Sequence, residues 1–110
     1  MKNLFVVRGS DNYRSHQAKI PTKSGNFYLS VVAGNGSYSN PIEFSDNADY
    51  TEVEVAIFTK DGEWATKEQA SPVFPIIGEG EYAYWNKLNQ ETAVFAYVSI
   101  NLIPACIEAL

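Results

Sequence analysis

The stretch 51–59, TEVEVAIFT, sets Val53, Val55 and Ile57 in alternation with Glu52 and Glu54. A period of two sends successive side chains to opposite faces, so this segment reads as a strand with one apolar and one wet face. Such a strand needs partner strands beside it and a layer over its valines. The rest of the chain supplies candidates. Residues 26–33 (NFYLSVVA) read as a second strand, ended by Gly34-Asn35-Gly36, where glycines supply the positive φ of a tight turn. Residues 93–98 (AVFAYV) are apolar on both faces and read as a buried strand. Residues 4–8 form a short apolar run that reads as a central first strand. Lys60-Asp61-Gly62 turns the chain into a returning hairpin strand at 63–66, with Gly62 in the left-handed position.

Other segments carry weaker signals. Residues 37–44 suit a short return strand that Pro41 confines to an edge, and 81–85 suit a brief strand. The polar stretch 9–24, rich in turn formers and broken at Ile20-Pro21, reads as a loop longer than the usual ~4–6 residues, and so as a functional or mobile one. Residues 71–77 hold two prolines and read as irregular or edge structure, followed by a loop at 78–81. The tail switches period: Ile103, Cys106, Ile107 and Leu110 fall at i, i+3, i+4 and i+7, an amphipathic helix with Asn101 as N-cap and Pro104 in its first turn. The expected fold is α+β. It is one domain over 1–110, a mostly antiparallel sheet of about four to six strands with the C-terminal amphipathic helix packed on one face.

Composition bounds the class. With 45% hydrophobic, 14% aromatic and only 19% charged residues among 110, the chain has the material for a core. The single cysteine, Cys106, rules out an internal disulfide and favours a reducing compartment. Four apolar residues at 4–7 are fewer than a signal-peptide core of ~7–15 needs. The apolar tail 92–110 is interrupted by Ser99, Asn101, Pro104 and Glu108, short of a ~20-residue membrane span. The expectation is a cytoplasmic protein with no membrane partner. On that expectation the glycosylation sequon Asn35-Gly36-Ser37 is silent.

Catalytic and cofactor motifs are sparse. His16, the only histidine, falls in the polar 9–24 stretch far from Cys106, so no zinc ligand set exists, and it is expected to be a solvated loop residue. Cys106 lies on the apolar side of the tail helix, where a thiol behaves as a small hydrophobe; Glu108 nearby works against a reactive thiolate. No serine sits in a nucleophile elbow. Neither Gly34-Asn35-Gly36 nor Gly78-Glu79-Gly80-Glu81 has the basic residues of a phosphate cradle. No cofactor or metal is expected. Glu52 and Glu54, at i and i+2 on a strand, have backbones ~6.6–6.8 Å apart, within the range of an inverting hydrolase pair, although any half-exposed strand produces such a pair.

Charge is distributed unevenly. Residues 1–25 hold five basic residues and one acid, a net of +4; residues 26–110 hold three lysines and twelve acids, a net of −9. The basic stretch (Lys2, Arg8, Arg14, Lys19 and Lys23, with Tyr13) suggests phosphate contacts, but the acidic body repels a polyanion, so no direct nucleic-acid binding is expected. The acids between 43 and 91 are interleaved with Tyr38, Tyr50, Trp64, Tyr82, Tyr84 and Trp85, the residue types that anchor protein interfaces. The expected contact residues are Glu52, Glu54, Asp61 and Glu63, with Trp64 as apolar anchor, facing a larger protein partner with a basic surface.

The compact acidic chain, its polar opening MKNLFVVRGSDNYRSH and its strand-hairpin run YTEVEVAIFTKDGEW resemble the small inhibitor proteins encoded by phages and mobile elements, such as the anti-CRISPR proteins. That resemblance implies a stoichiometric, non-enzymatic blocker of a host defence protein, often at its nucleic-acid-binding surface. Three alternatives are an immunity protein that neutralises a toxin, a small hydrolase using Glu52 or Glu54, and a structural subunit that oligomerises through its sheet edge.

Overall fold

The structure, a computed structural model, describes residues 5–9, 14–79, 81–82 and 93–110. Six strands form one sheet: β1 (Val6–Arg8), β2 (Ser15–Pro21), β3 (Phe27–Gly34), β4 (Glu52–Thr59), β5 (Glu81–Tyr82) and β6 (Ala93–Ser99), in the order β1-β2-β3-β4-β6-β5. Every neighbouring pair is antiparallel. Between β4 and β5 lie two single-turn helices, α1 (Lys67–Ala70) and α2 (Phe74–Ile77), joined by a 3-10 turn at Ser71–Val73. The C-terminal helix α3 (Ile103–Ala109) follows a 3-10 turn at Ile100–Leu102. The α+β class with its C-terminal helix is as the periodicity predicts.

The alternation in β4 orients the sheet. Val53, Val55 and Ile57 are buried together with Leu29 and Val31 of β3, Ala18 and Ile20 of β2 and Phe95 of β6. Helix α3 closes this inner face with Ile103, Cys106 and Leu110, while Ala70 and Val73 come from the α1–α2 segment. Each large apolar side chain so buried contributes about 1.5–3 kcal/mol. The chain ties the helix to the β2–β3 turn by a hydrogen bond from the Lys23 N–H to the Ile107 carbonyl (3.0 Å). An exposed Lys23–Glu108 ion pair at 3.2 Å adds little to it. Among the described residues no helix is long and apolar enough to cross a membrane.

Six local expectations are corrected. Residues 15–21, expected as loop, are β2, paired with β3 along its whole length. Ala18 and Ile20 alternate with Lys19 as a strand requires, and the proline that suggested a break ends the strand at Pro21. The apolar run 4–8 is not central: among the described strands β1 pairs with β2 alone, at the edge of the sheet, with Val6 and Val7 53% and 48% exposed. The central places go to β3 and β4, and β6 lies between β4 and the two-residue β5. Residues 71–77 are helical, because Pro72 and Pro75 stand in first turns, where a missing N–H costs no bond. The return strand at 63–66 reduces to one bridge between Phe58 and Trp64. Thr66 instead caps α1: its hydroxyl accepts the Gln69 N–H at 3.1 Å, and the Gln69 side chain accepts the Thr66 N–H at 2.9 Å.

At α3 the N-cap position is Leu102 rather than Asn101, which is absorbed into the preceding 3-10 turn. Residues 37–44 make no strand; a single bridge joins Asn40 to Glu52. Tyr84, Trp85 and most of the expected 81–85 strand lie outside the described residues, as do Asp11, Tyr13 and Glu91.

Candidate functional site

Glu52 and Glu54 share the outer face of β4, the one opposite the helices, and both are half-buried. Here β6 carries an extra residue. Val53 pairs with Val98 and Val55 with Phe95, so Ala96 and Tyr97 together oppose Glu54, a β-bulge. Tyr97, in this bulge, takes a φ of 51°, the left-handed conformation uncommon for a non-glycine residue. Its N–H leaves the ladder and donates to the Tyr38 carbonyl at 3.1 Å. The Tyr38 N–H in turn donates to Oε2 of Glu54 at 3.1 Å. Burial pushes the Glu54 pKa above its ordinary value, and the Tyr38 N–H pulls partly against that. Glu54 is thus more than part of an ordinary half-exposed strand face, since its carboxylate is partly desolvated and bonded to the Tyr38 backbone. The two tyrosines, with ring centroids 6.0 Å apart, are 51% (Tyr38) and 47% (Tyr97) exposed.

The other three candidates lie at the far end of the strand. Gly62, at φ 88°, closes the turn that exposes Asp61 and Glu63. Trp64 is half-buried and packs on Phe58, with ring centroids 4.5 Å apart. Phe58 stacks on Tyr28 at 5.3 Å, and Lys19 Nζ lies 5.4 Å from the Tyr28 ring centre. These side chains form a ladder across the outer face, which ties down much of the Trp64 ring. Phe58 is four residues from Glu54, ~13 Å along an extended strand. The five expected contact residues therefore form two groups, Glu52 with Glu54 and Asp61 with Glu63 and Trp64.

A third cluster was not legible in advance. His16 is not a solvated loop residue: it sits on β2 opposite Ala33 and turns towards the inner side of the sheet. Its Nδ1 lies 2.9 Å from the Tyr50 hydroxyl. One ring face stacks on Phe44 at 4.8 Å and 24°, and Phe5 approaches edge-on at 5.9 Å. Burial raises the pKa of the Tyr50 phenol, which keeps it neutral. The segment 34–44 holds Phe44 in place through buried and part-buried bonds. The Ser39 hydroxyl accepts the Gly34 N–H at 3.0 Å and donates to the Pro41 carbonyl at 2.9 Å, while Asn35 Oδ1 accepts the Phe44 N–H at 3.0 Å. Gly34, at φ 112°, lets Tyr50 come close: a Cβ there would lie 3.2 Å from the Tyr50 hydroxyl. A cleft of about 430 Å³ opens beside His16 and Tyr50, with Asp46 and Asp49 on its wall. The sequence signal for it is the even parity of His16, Ala18 and Ile20, which the turn formers of 9–24 obscure.

Among the described residues no group of three or more His, Cys, Asp or Glu is placed to hold a metal ion. Cys106 is fully buried in the core, and burial pushes its thiol up to about 11. No protein family, curated protein or solved structure matches the chain.

Proposed function

We propose that this chain is a non-enzymatic binding protein whose outer sheet face, around Glu52, Glu54, Tyr38 and Tyr97, engages a basic surface of a larger protein. It would act as an inhibitor of the anti-defence kind that its sequence resembles. The observation that carries this reading is the exposed Tyr38–Tyr97 pair next to Glu54, whose carboxylate accepts the Tyr38 N–H. Backbone bonds and a bulge fix the main chain that carries the pair, so little backbone ordering remains to be lost on binding. Tyrosines of this kind anchor interfaces, and adjacent carboxylates steer a basic partner. Compared with the sequence expectation, the anchor moves from Trp64 to the tyrosines, because Trp64 is already packed against Phe58.

The test uses the double variant Tyr38→Ala with Glu52→Lys. Among the described residues Tyr38 hydrogen-bonds through its backbone alone, so the substitutions leave the bulge and the Glu54 contact in place. Tagged wild-type and variant chains capture proteins from host extract, and the enriched partner is then measured by binding kinetics. Association with wild type should slow between ~50 and ~300 mM salt, as the Debye length falls from roughly 14 to 6 Å. The variant should lose the partner, while Asp61→Lys with Glu63→Lys should retain it. Equal capture by the first variant, or association indifferent to salt, would refute the proposal. A captured nuclease or nucleic-acid-guided effector fits inhibition; a toxin encoded beside this chain fits the immunity alternative.

A further inference from the structure

We infer that the cleft beside His16 and Tyr50 is a binding site for an organic cation, an amine or guanidinium carried on an aromatic or aliphatic body. The cleft and the Glu54–Tyr38–Tyr97 patch use opposite faces of the sheet, so neither reading depends on the other. Its volume, about 430 Å³, falls in the range of small-molecule sites. Its wall has two chemical parts. Phe5, Val7, Tyr50 and Ile100 supply apolar and aromatic surface. Asp46 and Asp49 are exposed and form no ion pair or side-chain hydrogen bond among the described residues, so two carboxylates face the cleft.

Aromatic faces and carboxylates together select for one ligand class. A ring's quadrupole attracts a cation over its face, and a carboxylate adds a charge-assisted hydrogen bond to an N–H. An anion would meet two like charges, and a neutral apolar ligand would leave both carboxylates unused while desolvating them. The site is also held in advance of binding. The His16–Tyr50 bond and the Phe44 stack fix its floor, and the Ser39 and Asn35 bonds fix the loop that carries Phe44. A cleft that needs no collapse or ordering loses less affinity to entropy.

The cation has two possible sources, a free amine or the arginine side chain of a protein. Two probes separate them, phenethylamine and N-acetyl-arginine amide, with 2-phenylethanol as the neutral control. Each is titrated into the full chain and followed by two-dimensional NMR of the backbone amides. At least one cation should give saturable shifts centred on His16, Tyr50 and Ile100, with a Kd of about 1 mM, as expected for a fragment of this size. Asp46→Asn with Asp49→Asn changes two exposed side chains and should weaken that binding by about tenfold or more. The neutral alcohol should be weaker by a similar factor. Saturation by phenethylamine alone assigns the site to a free amine, and saturation by the arginine derivative assigns it to a protein side chain. The inference is overturned if neither cation saturates, if the alcohol binds as well as phenethylamine, or if the double variant, its native spectrum intact, binds both cations undiminished.

Discussion

Gly34 and Gly36 lie two residues apart in one turn, both at positive φ (112° and 80°), yet their surroundings differ. A Cβ on Gly36 would meet nothing within 4 Å. One on Gly34 would lie 3.1 Å from Ser15 Cα, 3.2 Å from the Arg14 carbonyl oxygen and 3.2 Å from the Tyr50 hydroxyl. Gly36→Ala therefore has only the conformational term to meet, about 1–2 kcal/mol for an L-residue at left-handed φ. Gly34→Ala carries backbone strain of about 1–3 kcal/mol and adds overpacking, typically about 1–3 kcal/mol. Two of the three close atoms are backbone, so they cannot turn aside; only Tyr50 can move, and its movement breaks the bond to His16. The expected total is about 2–6 kcal/mol, a large share of the 5–15 kcal/mol that stabilises a typical domain. Urea denaturation of both variants, with m compared to confirm two-state unfolding, measures the difference. In Gly34→Ala the NMR signals of His16 and Tyr50 should also shift, while in Gly36→Ala they should not. Equal losses of stability in the two variants would refute the argument that close packing at Gly34 positions Tyr50.

Two further outcomes follow from the core and from the bulge. Ile103→Ala, at a fully buried position, should cost about 2–5 kcal/mol, whereas Leu102→Ala next to it, 37% exposed, should cost far less; similar losses on denaturation would show that α3 is an appendage. Glu54 has a folded-state pKa raised above 4.5, so the fold favours its protonated form. The stabilising effect of that preference is complete below about pH 4.5 and is lost as pH rises through the folded pKa. Glu54→Gln, which can still accept the Tyr38 N–H, should match wild type near pH 4 and exceed it in stability at pH 7. A difference independent of pH across that range, measured by denaturant titration, would contradict the burial of this carboxylate.

Much of the architecture was legible because it rests on short-range periodicity. The alternation of Val53, Val55 and Ile57 identified β4 and its faces, and the spacing of Ile103, Cys106, Ile107 and Leu110 identified α3 and its buried side. Glycine at 34 and 62 marked the turns, because few other residues tolerate positive φ. Errors arose where a local cue pointed one way and pairing decided otherwise. Ile20-Pro21 signalled a break, but hydrogen bonding to β3 extends the strand up to the proline. The prolines at 72 and 75 signalled irregularity, but a proline in a first turn is compatible with a helix.

The candidate sites depend on contacts between segments far apart in the chain, and sequence spacing does not encode those. Charge and residue type alone marked Glu52 and Glu54 as a wet strand face. Only the register of β4 against β6 places the Tyr97 bulge opposite Glu54 and lets the Tyr38 backbone cover it. Likewise His16, Phe44 and Tyr50 are separated by many residues and carry no joint motif. They meet because Gly34 admits the Tyr50 hydroxyl and because Asn35 and Ser39 fold the 34–44 segment back onto β2. Periodicity determined which side of each element is apolar, since that follows from backbone geometry within a few residues. Tertiary packing decided which polar and aromatic side chains converge, since that depends on register and loop closure over the whole chain.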